Sequence, residues 1–334
     1  MKVSVVVVCY NERENIEACL ASLRDLTGAG TNAEILFVDN GSDDGTVQIL
    51  ERHTRSNAAI RLLHNPVRSI ARSRNMGWRA AGHDMVAFLD ADCVAPPHWL
   101  ETLVRGFERH RARRPKLAAV GGANVPPRQR SRFYDVLGIF LNTYLGAHSS
   151  VQGRRFSRDR IVDHLPTVNV LYLKKALAAV NGFDERMGNI GEDQDLSFRL
   201  KAHGFSLHYI AGAEVIHALR SNLAAWSRNM FIYGTGRMRL MRLHPRRIQV
   251  KFIVPLLLVL VLALIPFITV LVPVLLYFPA VFLVSLFEGV RARRADLVAD
   301  LFAVYISTHI CYGLGEWYAL IRPCRRSRAE PRNR

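Results

Sequence analysis

Two acids, Asp90 and Asp92, stand two residues apart in the stretch FLDADC (88–93), at the end of an apolar run and just ahead of Pro96 and Pro97. Burying charge is costly unless the charge is paired or bound to a cation. Residues i and i+2 of a strand point to the same side, so both carboxylates can face one small volume. Hard cations such as Mg²⁺ or Mn²⁺ take one or two carboxylates, and substrate phosphates complete the shell. Taken alone, the pair reads first as an Asx-rich turn before the two prolines. A second acidic group, Glu192 and Asp193 in GEDQD (191–195), opens an amphipathic pattern through Leu196, Leu200 and Phe205. A carboxylate placed beside a hydroxyl can take its proton.

Elements must bring these acids together. KVSVVVVC (2–9) is a continuous β-branched run, the pattern of a parallel strand buried on both faces. Asn11 stands as a helix cap, with Glu14 three residues on in capping-box register. Further strands read at EILFVD (34–39), IRLLHN (60–65) and DMVAFLD (84–90), with helices from DDGTVQILERH and over 69–82. Strands alternating with helices predict an α/β fold, a mostly parallel sheet flanked by helices. Ligands of such sheets gather at the carboxyl ends of the strands. Cys9, Tyr10 and Asn11, then Asp39 and Asn40, then Asp90 and Asp92 all lie at those ends. Farther on, SLHYIAGAEVIH (206–217) reads as one strand ending in His217.

Charge divides the chain. Residues 1–100 carry 10 Lys/Arg against 12 Asp/Glu, residues 101–236 carry 20 against 11, and residues 237–334 carry 15 against 5. A net charge of +17 admits a nucleic-acid binder. The slightly acidic first hundred residues argue against it, and the basic last block wraps apolar segments, which suits anionic lipid heads. Five cysteines at 9, 19, 93, 311 and 324 show no metal-ligand spacing and read as reduced thiols. The N-terminus is a poor signal peptide and a good first strand.

Residues 252–287 hold no charge over 36 positions. One straight helix of that length would span roughly 54 Å against roughly 30 Å of hydrocarbon. Two spans at about 252–269 and 270–287, bent near Pro266 or Pro273, fit better. Basic residues on both flanks predict a hairpin that returns to the cytoplasmic side. The stretch 297–321 is interrupted by Asp300, His309 and Glu316 and reads as interfacial or re-entrant, with a full third span as the rival.

Five ordered motifs, VSVVVVCYNERENIEACLASL, ILFVDNGSDDGT, ARSRNMGWRAAGHDMVAFLDAD, NVLYLKKALAAVNGFDE and GEDQDLSFRLKAHG, closely resemble those of the family-2 glycosyltransferases of GT-A fold. The resemblance covers roughly residues 2–240. It implies the nucleotide-diphospho-sugar transferase fold and inverting transfer. The tail, including YGTGR (233–237) and CYGLGEWYAL (311–320), is similar to the membrane-attached bacterial members. The resemblance implies that Tyr10, Asn11 and Glu12 touch the nucleoside and that Asp39 lies near the base. The family often has a second Asp where this chain has Asn40, a departure that bears on uracil selectivity. Arg72, Arg74 and Asn75 match the helix that approaches the diphosphate. Asp90 matches the ribose-side acid and Asp92 the metal ligand, with Asp90 and His217 as further metal ligands. Asp193 matches the general base, with Glu192 beside it as the second candidate.

The expected division is 1–125 for the nucleotide-sugar half, 126–240 for the acceptor and catalytic half, and 241–334 for a C-terminal membrane helical hairpin and its flanks. The expected activity is hexosyltransferase-like: a sugar passes from a nucleotide-sugar donor, a UDP-sugar first, to a lipid-linked or saccharide acceptor. A divalent cation assists, at the cytoplasmic face of the inner membrane, in cell-envelope polysaccharide or glycolipid biosynthesis. GDP and dTDP donors stay open because of Asn40. The rival is a membrane-tethered nucleotide-binding protein without turnover, and nucleic acid is not an expected partner. GAGTNA (28–33) lies after a helix and before a strand, the wrong order for a dinucleotide fingerprint, and reads as a turn. RHRARRP (109–115) reads as a solvated basic helix end or a lipid-head contact. Arg228 and Arg237 read as holders of an acceptor phosphate or as interfacial anchors.

Overall fold

The computed structural model describes residues 2–28, 33–127, 131–147, 151, 153–187, 189–245, 253–264 and 271–322. The chain divides into two compact units, Met1–Pro127 with Ser149–Leu219, and Arg128–His148 with Arg220–Arg334.

The first unit alternates strand and helix: β1 (Val3–Cys9), α1 (Ile16–Gly28), β2 (Ala33–Asp39), α2 (Thr46–Ser56), β3 (Ile60–His64), α3 (Ile70–Ala80), β4 (Met85–Asp90), β5 (Cys93–Val94), α4 (Trp99–Arg111), β6 (Leu117–Gly121) and β7 (Asn124–Val125). The second unit then contributes α5 (Arg132–Leu141) and α6 (Tyr144–Ala147) before the chain returns as β8 (Arg160–Val162), β9 (Asn169–Leu173), α7 (Lys174–Ala179), α8 (Glu192–Ala202), β10 (Ser206–Tyr209) and β11 (Val215–His217). Eight strands form one sheet in the order β3-β2-β1-β4-β9-β6-β10-β8, and β5-β11-β7 form a small second sheet. β1 is parallel to β2 and β4, and β2 to β3, while β9 runs antiparallel to both β4 and β6.

The apolar run of β1 does what its composition predicts. Val5 and Val7 enter the core on one face of the sheet and Val6 enters the core on the other. Ile35 and Phe37 against Leu36 and Val38, and Ala87 and Leu89 against Val86 and Phe88, split the same way. Each such fully buried side chain contributes about 1.5–3 kcal/mol. Helix α3 lies so close to β1 that a Cβ at Gly77 would stand 2.3 Å from Val6 Cγ1.

Two local readings differ from the structure. The expected cap at Asn11 is not formed, because α1 begins only at Ile16. Asn11 sits at φ 53 and instead exchanges hydrogen bonds with Asp43 in the loop after β2, accepting from its N–H and donating to its carboxylate. The stretch 206–217 is two strands in two sheets, not one: Gly212, at φ 84, turns the chain between β10 and β11.

In the second unit α9 (Leu223–Leu243), α10 (Val254–Ala263), α11 (Leu271–Arg291) and α12 (Val298–Ile321) follow. The motif glycines set the helix spacing. A Cβ at Gly234 would meet Tyr312 O at 2.0 Å, and one at Gly315 would meet Phe231 O at 2.0 Å, so α9 and α12 touch backbone to backbone. Arg237 Nε donates to Tyr312 Oη at 2.9 Å, and Glu316 is fully buried on α12. Arg228 is exposed. The stretch read as interfacial or re-entrant is one unbroken helix. With its preceding turn it spans Ala295–Ile321 and is long and apolar enough to cross a bilayer. Positions 252 and 265–270, including Pro266, lie outside the described residues, and Pro273 falls in the first turn of α11.

Candidate active site

Register brings the expected clusters to one sheet edge. Cys9 pairs with Asp39 and Val8 with Asp90, so β1, β2 and β4 end side by side. Asp39 is buried and folds back on its own turn, accepting from the N–H groups of Gly41 and Ser42 at 3.0 and 3.2 Å. Asn40 is buried too. Its Oδ1 accepts from Ser69 N–H at 2.8 Å, Ser73 Oγ at 3.1 Å and Asn65 Nδ2 at 3.2 Å. The residue that departs from the family pattern is thus an internal joint between β2 and α3, and its amide oxygen is taken. Tyr10 carries the Arg68 guanidinium 3.7 Å from its ring centroid. Glu12 receives Asn15 Nδ2, and its own N–H donates to Thr46 Oγ1.

Helix α3 starts cleanly because Ser69 caps it, accepting from the N–H of Arg72. Of its three expected phosphate-facing residues only Arg72, half-buried in the first turn, is not buried. Arg74 is buried and ion-paired to Glu192 on α8 and, at 3.2 Å, to Asp90 on β4. Asn75 is buried, donating to Phe183 O and Glu185 and accepting from Trp78 Nε1 and Phe183 N–H. Its side chain clips α3 to the segment before α8. The Arg74 triad is a closed polar joint. Burial pushes the Glu192 carboxyl up to about 7, with Asp193 beside it adding to the rise and Arg74 opposing it. Glu192 Oε2 has no hydrogen-bond partner among the described residues. Burial also raises Asp90 above its ordinary range, with Arg74 opposing and Asp92 adding.

The i, i+2 argument for the two acids does not survive. β4 ends at Asp90, and Asp92 lies in the turn that leads into β5. A different contact positions Asp92: β5 pairs with β11 in the register Cys93 to His217, and Ala218 N–H donates to Asp92 O at 2.9 Å. His217 Nε2 stands 3.2 Å from Asp92 Oδ2, and both side chains are part-exposed. Asp92, Cys93 and His217 bring one donor atom each to within 4.8 Å of one another. Burial pushes the Cys93 thiol up and keeps it protonated, so the carboxylate and the imidazole are the donors that suit a hard cation. Asn124 Oδ1 accepts from Gly153 N–H, which turns its Nδ2 toward His217 Nδ1 at 3.1 Å. That arrangement leaves the imidazole proton on Nε2, donating to Asp92. The residues fit a cation held by Asp92 with Asp90 near, and in this tautomer His217 steadies Asp92 through its Nε2–H.

Asp193 opens α8 with its side chain 24% exposed. Burial pushes the carboxyl up, but the His164 ring, Arg74 and the Gln194 N–H outweigh it and hold it at about 2. It is therefore ionised and part-open, whereas its neighbour Glu192 is enclosed. Sequence reasoning missed Arg68 and His164. Both sit in connecting segments, where no periodicity marks them, and tertiary packing alone brings them to Tyr10 and Asp193.

Residues 4–179 match the description Glycosyl transferase family 2. The pre-mycofactocin glycosyltransferase of Mycobacterium tuberculosis is 30% identical over 248 residues, 73% of this chain and 48% of that protein. The chain thus spans about half the length of that relative. The succinoglycan biosynthesis protein ExoA of Rhizobium meliloti is 29% identical over 241 residues, 70% of this chain and 68% of its own. A solved mannosyltransferase, PcManGT from Pyrobaculum calidifontis in complex with GDP-Man and Mn²⁺, superposes with a TM-score of 0.59 at 19% identity, covering 92% of this chain and 86% of that one. That likeness is one of fold, and it bears out the α/β GT-A architecture expected from the motifs. The family description covers more than half of the sequence, and the chain belongs to glycosyl transferase family 2.

Proposed function

We propose that the chain is an inverting glycosyltransferase that moves a hexose-type sugar from a nucleotide-diphospho-sugar to a lipid-linked or saccharide acceptor. One observation carries the reading: two part-exposed acids, Asp92 after β4 and Asp193 in the first turn of α8, are the chain neighbours of Asp90 and Glu192, which both pair with the buried Arg74. Asp193 accepts the proton of the attacking hydroxyl as the new bond to the anomeric carbon forms. The bond from that carbon to the diphosphate breaks, and the departing group keeps the electron pair. A divalent cation bound at Asp92 would neutralise the charge gathering on the leaving group. Arg72 offers a charge-assisted bond to a phosphate oxygen. Tyr10, under the Arg68 guanidinium, and Asp39 face the nucleoside. Asn40 is taken up inside the fold, so nucleotide choice rests on Tyr10, Arg68 and Asp39.

The second unit would attach the enzyme to a bilayer. Its α10 and α11 expose large apolar side chains in series, among them Leu257, Leu275, Leu276, Leu283 and Phe287. A surface of this kind is solvated by lipid more readily than by water. The attachment region of about 241–334 places the acceptor at the membrane face, with residues 1–125 serving the donor and 126–240 the acceptor. The cytoplasmic side of the inner membrane is the side where nucleotide sugars are available.

The test is thermal stabilisation of the purified chain by UDP, GDP and dTDP, each with and without Mn²⁺, beside Asp92→Asn and Asp193→Asn. A ligand that binds the native state alone raises stability by mass action. The expected result is a Mn²⁺-dependent shift with one nucleotide, lost in Asp92→Asn and kept in Asp193→Asn, which loses turnover by roughly 10²–10⁴-fold. No shift with any nucleotide in a folded protein would overturn the reading. A shift with no turnover in the unaltered chain would favour the tethered nucleotide-binding protein.

A further inference from the structure

Helix α8 carries Asp193, Ser197 and Lys201 at four-residue spacing, so all three lie on one face. The short segment after β8 runs along that face and is fastened to each of them in turn. Asp163 is ion-paired to Lys201. Leu165 N–H reaches Ser197 Oγ at 3.5 Å, and that hydroxyl donates to Asp193 O at 2.9 Å. Between them His164 brings Nε2 to 3.3 Å from Asp193 Oδ2, an ion-pair distance without hydrogen-bond alignment, with only 18% of its side chain exposed. On its other oxygen Asp193 accepts from Gln194 N–H at 2.7 Å. Each oxygen of the carboxylate thus has one polar neighbour, His164 at Oδ2 and Gln194 N–H at Oδ1.

We propose that His164 is a positioning residue for Asp193. It fixes the rotamer of the carboxylate that takes the acceptor's proton and stabilises its ionised form. The proposal rests on the reading of Asp193 as the base. The remaining ionisable neighbours of that carboxylate are Arg74 from α3, Glu192 from its own helix and Tyr172 from β9. None of the three lies on the strap, so removing His164 leaves them in place. A proton leaves the hydroxyl oxygen and arrives on an Asp193 oxygen, and the imidazole sets where that oxygen stands at the moment of attack. A misplaced base slows the step without weakening donor binding.

The experiment uses the full chain in detergent and follows release of nucleoside diphosphate. UDP-glucose, GDP-mannose and dTDP-rhamnose are the donors tried, and water takes the sugar where no other acceptor is added. His164→Ala should lower kcat roughly ten- to a hundredfold with donor KM unchanged. Its acid limb should move to higher pH, because a cause that holds Asp193 ionised is gone. His164→Gln, which keeps an N–H toward Asp193, should recover most of the rate. Asp163→Asn loosens the same strap and should leave the pH profile in place. If His164→Ala behaves like the parent while Asp193→Asn is inactive, the positioning role is wrong and the base stands. If Asp193→Asn is itself active, the base reading fails and takes the proposal with it. If Asp163→Asn and His164→Ala lose the same rate with unmoved profiles, the strap is merely structural and the proposal is overturned. Should His164→Ala not fold, His164→Leu takes its place: a lowered kcat with a displaced acid limb supports the role, and an unmoved limb with unchanged rate removes it.

Discussion

Two groups of acids, each drawn from the end of β4 and the start of α8, differ in the partner that holds them. Asp90 and Glu192 converge on Arg74, which is buried, and the three close on one another. Asp92 and Asp193 lie a residue or two along the chain from them, yet both keep part of the carboxylate in the open and lean on a histidine, His217 and His164. The closed group ties α3, β4 and α8 together. In the open group each part-exposed carboxylate has an imidazole beside it. The lesson is that adjacent acids in a motif are told apart by their partners: one of each pair, Asp90 and Glu192, is tied to Arg74, and the other, Asp92 and Asp193, stands against a histidine.

Arg74→Met is the sharpest way to break this comparison. It leaves the buried Glu192, and the part-exposed Asp90 beside it, without their cation, and removing one partner of a buried ion pair costs about 3–5 kcal/mol. The melting temperature should fall steeply, whether or not a nucleotide is present. A variant that melts like the parent but no longer binds nucleotide would put Arg74 on the diphosphate, as the motif alone implies.

Acid should separate the open group next. Asp193 is held at about 2 in the folded chain, below the ordinary value near 4 for an unfolded aspartate. A depressed carboxyl stabilises fully above the unfolded value, and the stabilisation is lost as pH falls through the folded one. The contribution is about 2–3 kcal/mol. Melting temperatures of the parent and Asp193→Asn, compared from pH 6 down to pH 2, should converge toward the acid end. Curves that stay parallel would mean that His164 and Gln194 do not hold the charge.

The smallest effect tests the joint next door. Asn40→Ala removes the acceptor shared by Ser69, Ser73 and Asn65, and stranding such donors costs about 1–2 kcal/mol. Urea midpoints should fall accordingly while the ranking of UDP, GDP and dTDP in stabilisation stays the same. A changed ranking would return Asn40 to the nucleotide.

Much of this was readable from one dimension. Apolar runs at 2–9, 34–39 and 84–90 predict the central parallel strands because both their faces must be dry. The order of motifs predicts the family. The residues 88–93 and 191–195 mark the site, because acids ending apolar runs need a partner. Local pattern also misled. A cap was read at Asn11, whose side chain prefers Asp43 in a distant loop, and one strand was read across Gly212, where a positive φ splits two sheets.

The sequence by itself determined which strands exist, that their ends carry acids, and that the C-terminal third is apolar with basic flanks. Periodicity and composition are local quantities, and they survive reading along the chain. Only the tertiary structure decided that Arg74 and Asn75 are buried and bonded within the fold, that Asn40 is a joint, that His217 reaches Asp92 through the pairing of β5 with β11, and that His164 reaches Asp193. Burial and electrostatics depend on which distant segments meet. Asp90 and Asp92 differ by two positions in sequence, and it is Arg74 for one and His217 for the other, each from another part of the fold, that gives them different surroundings.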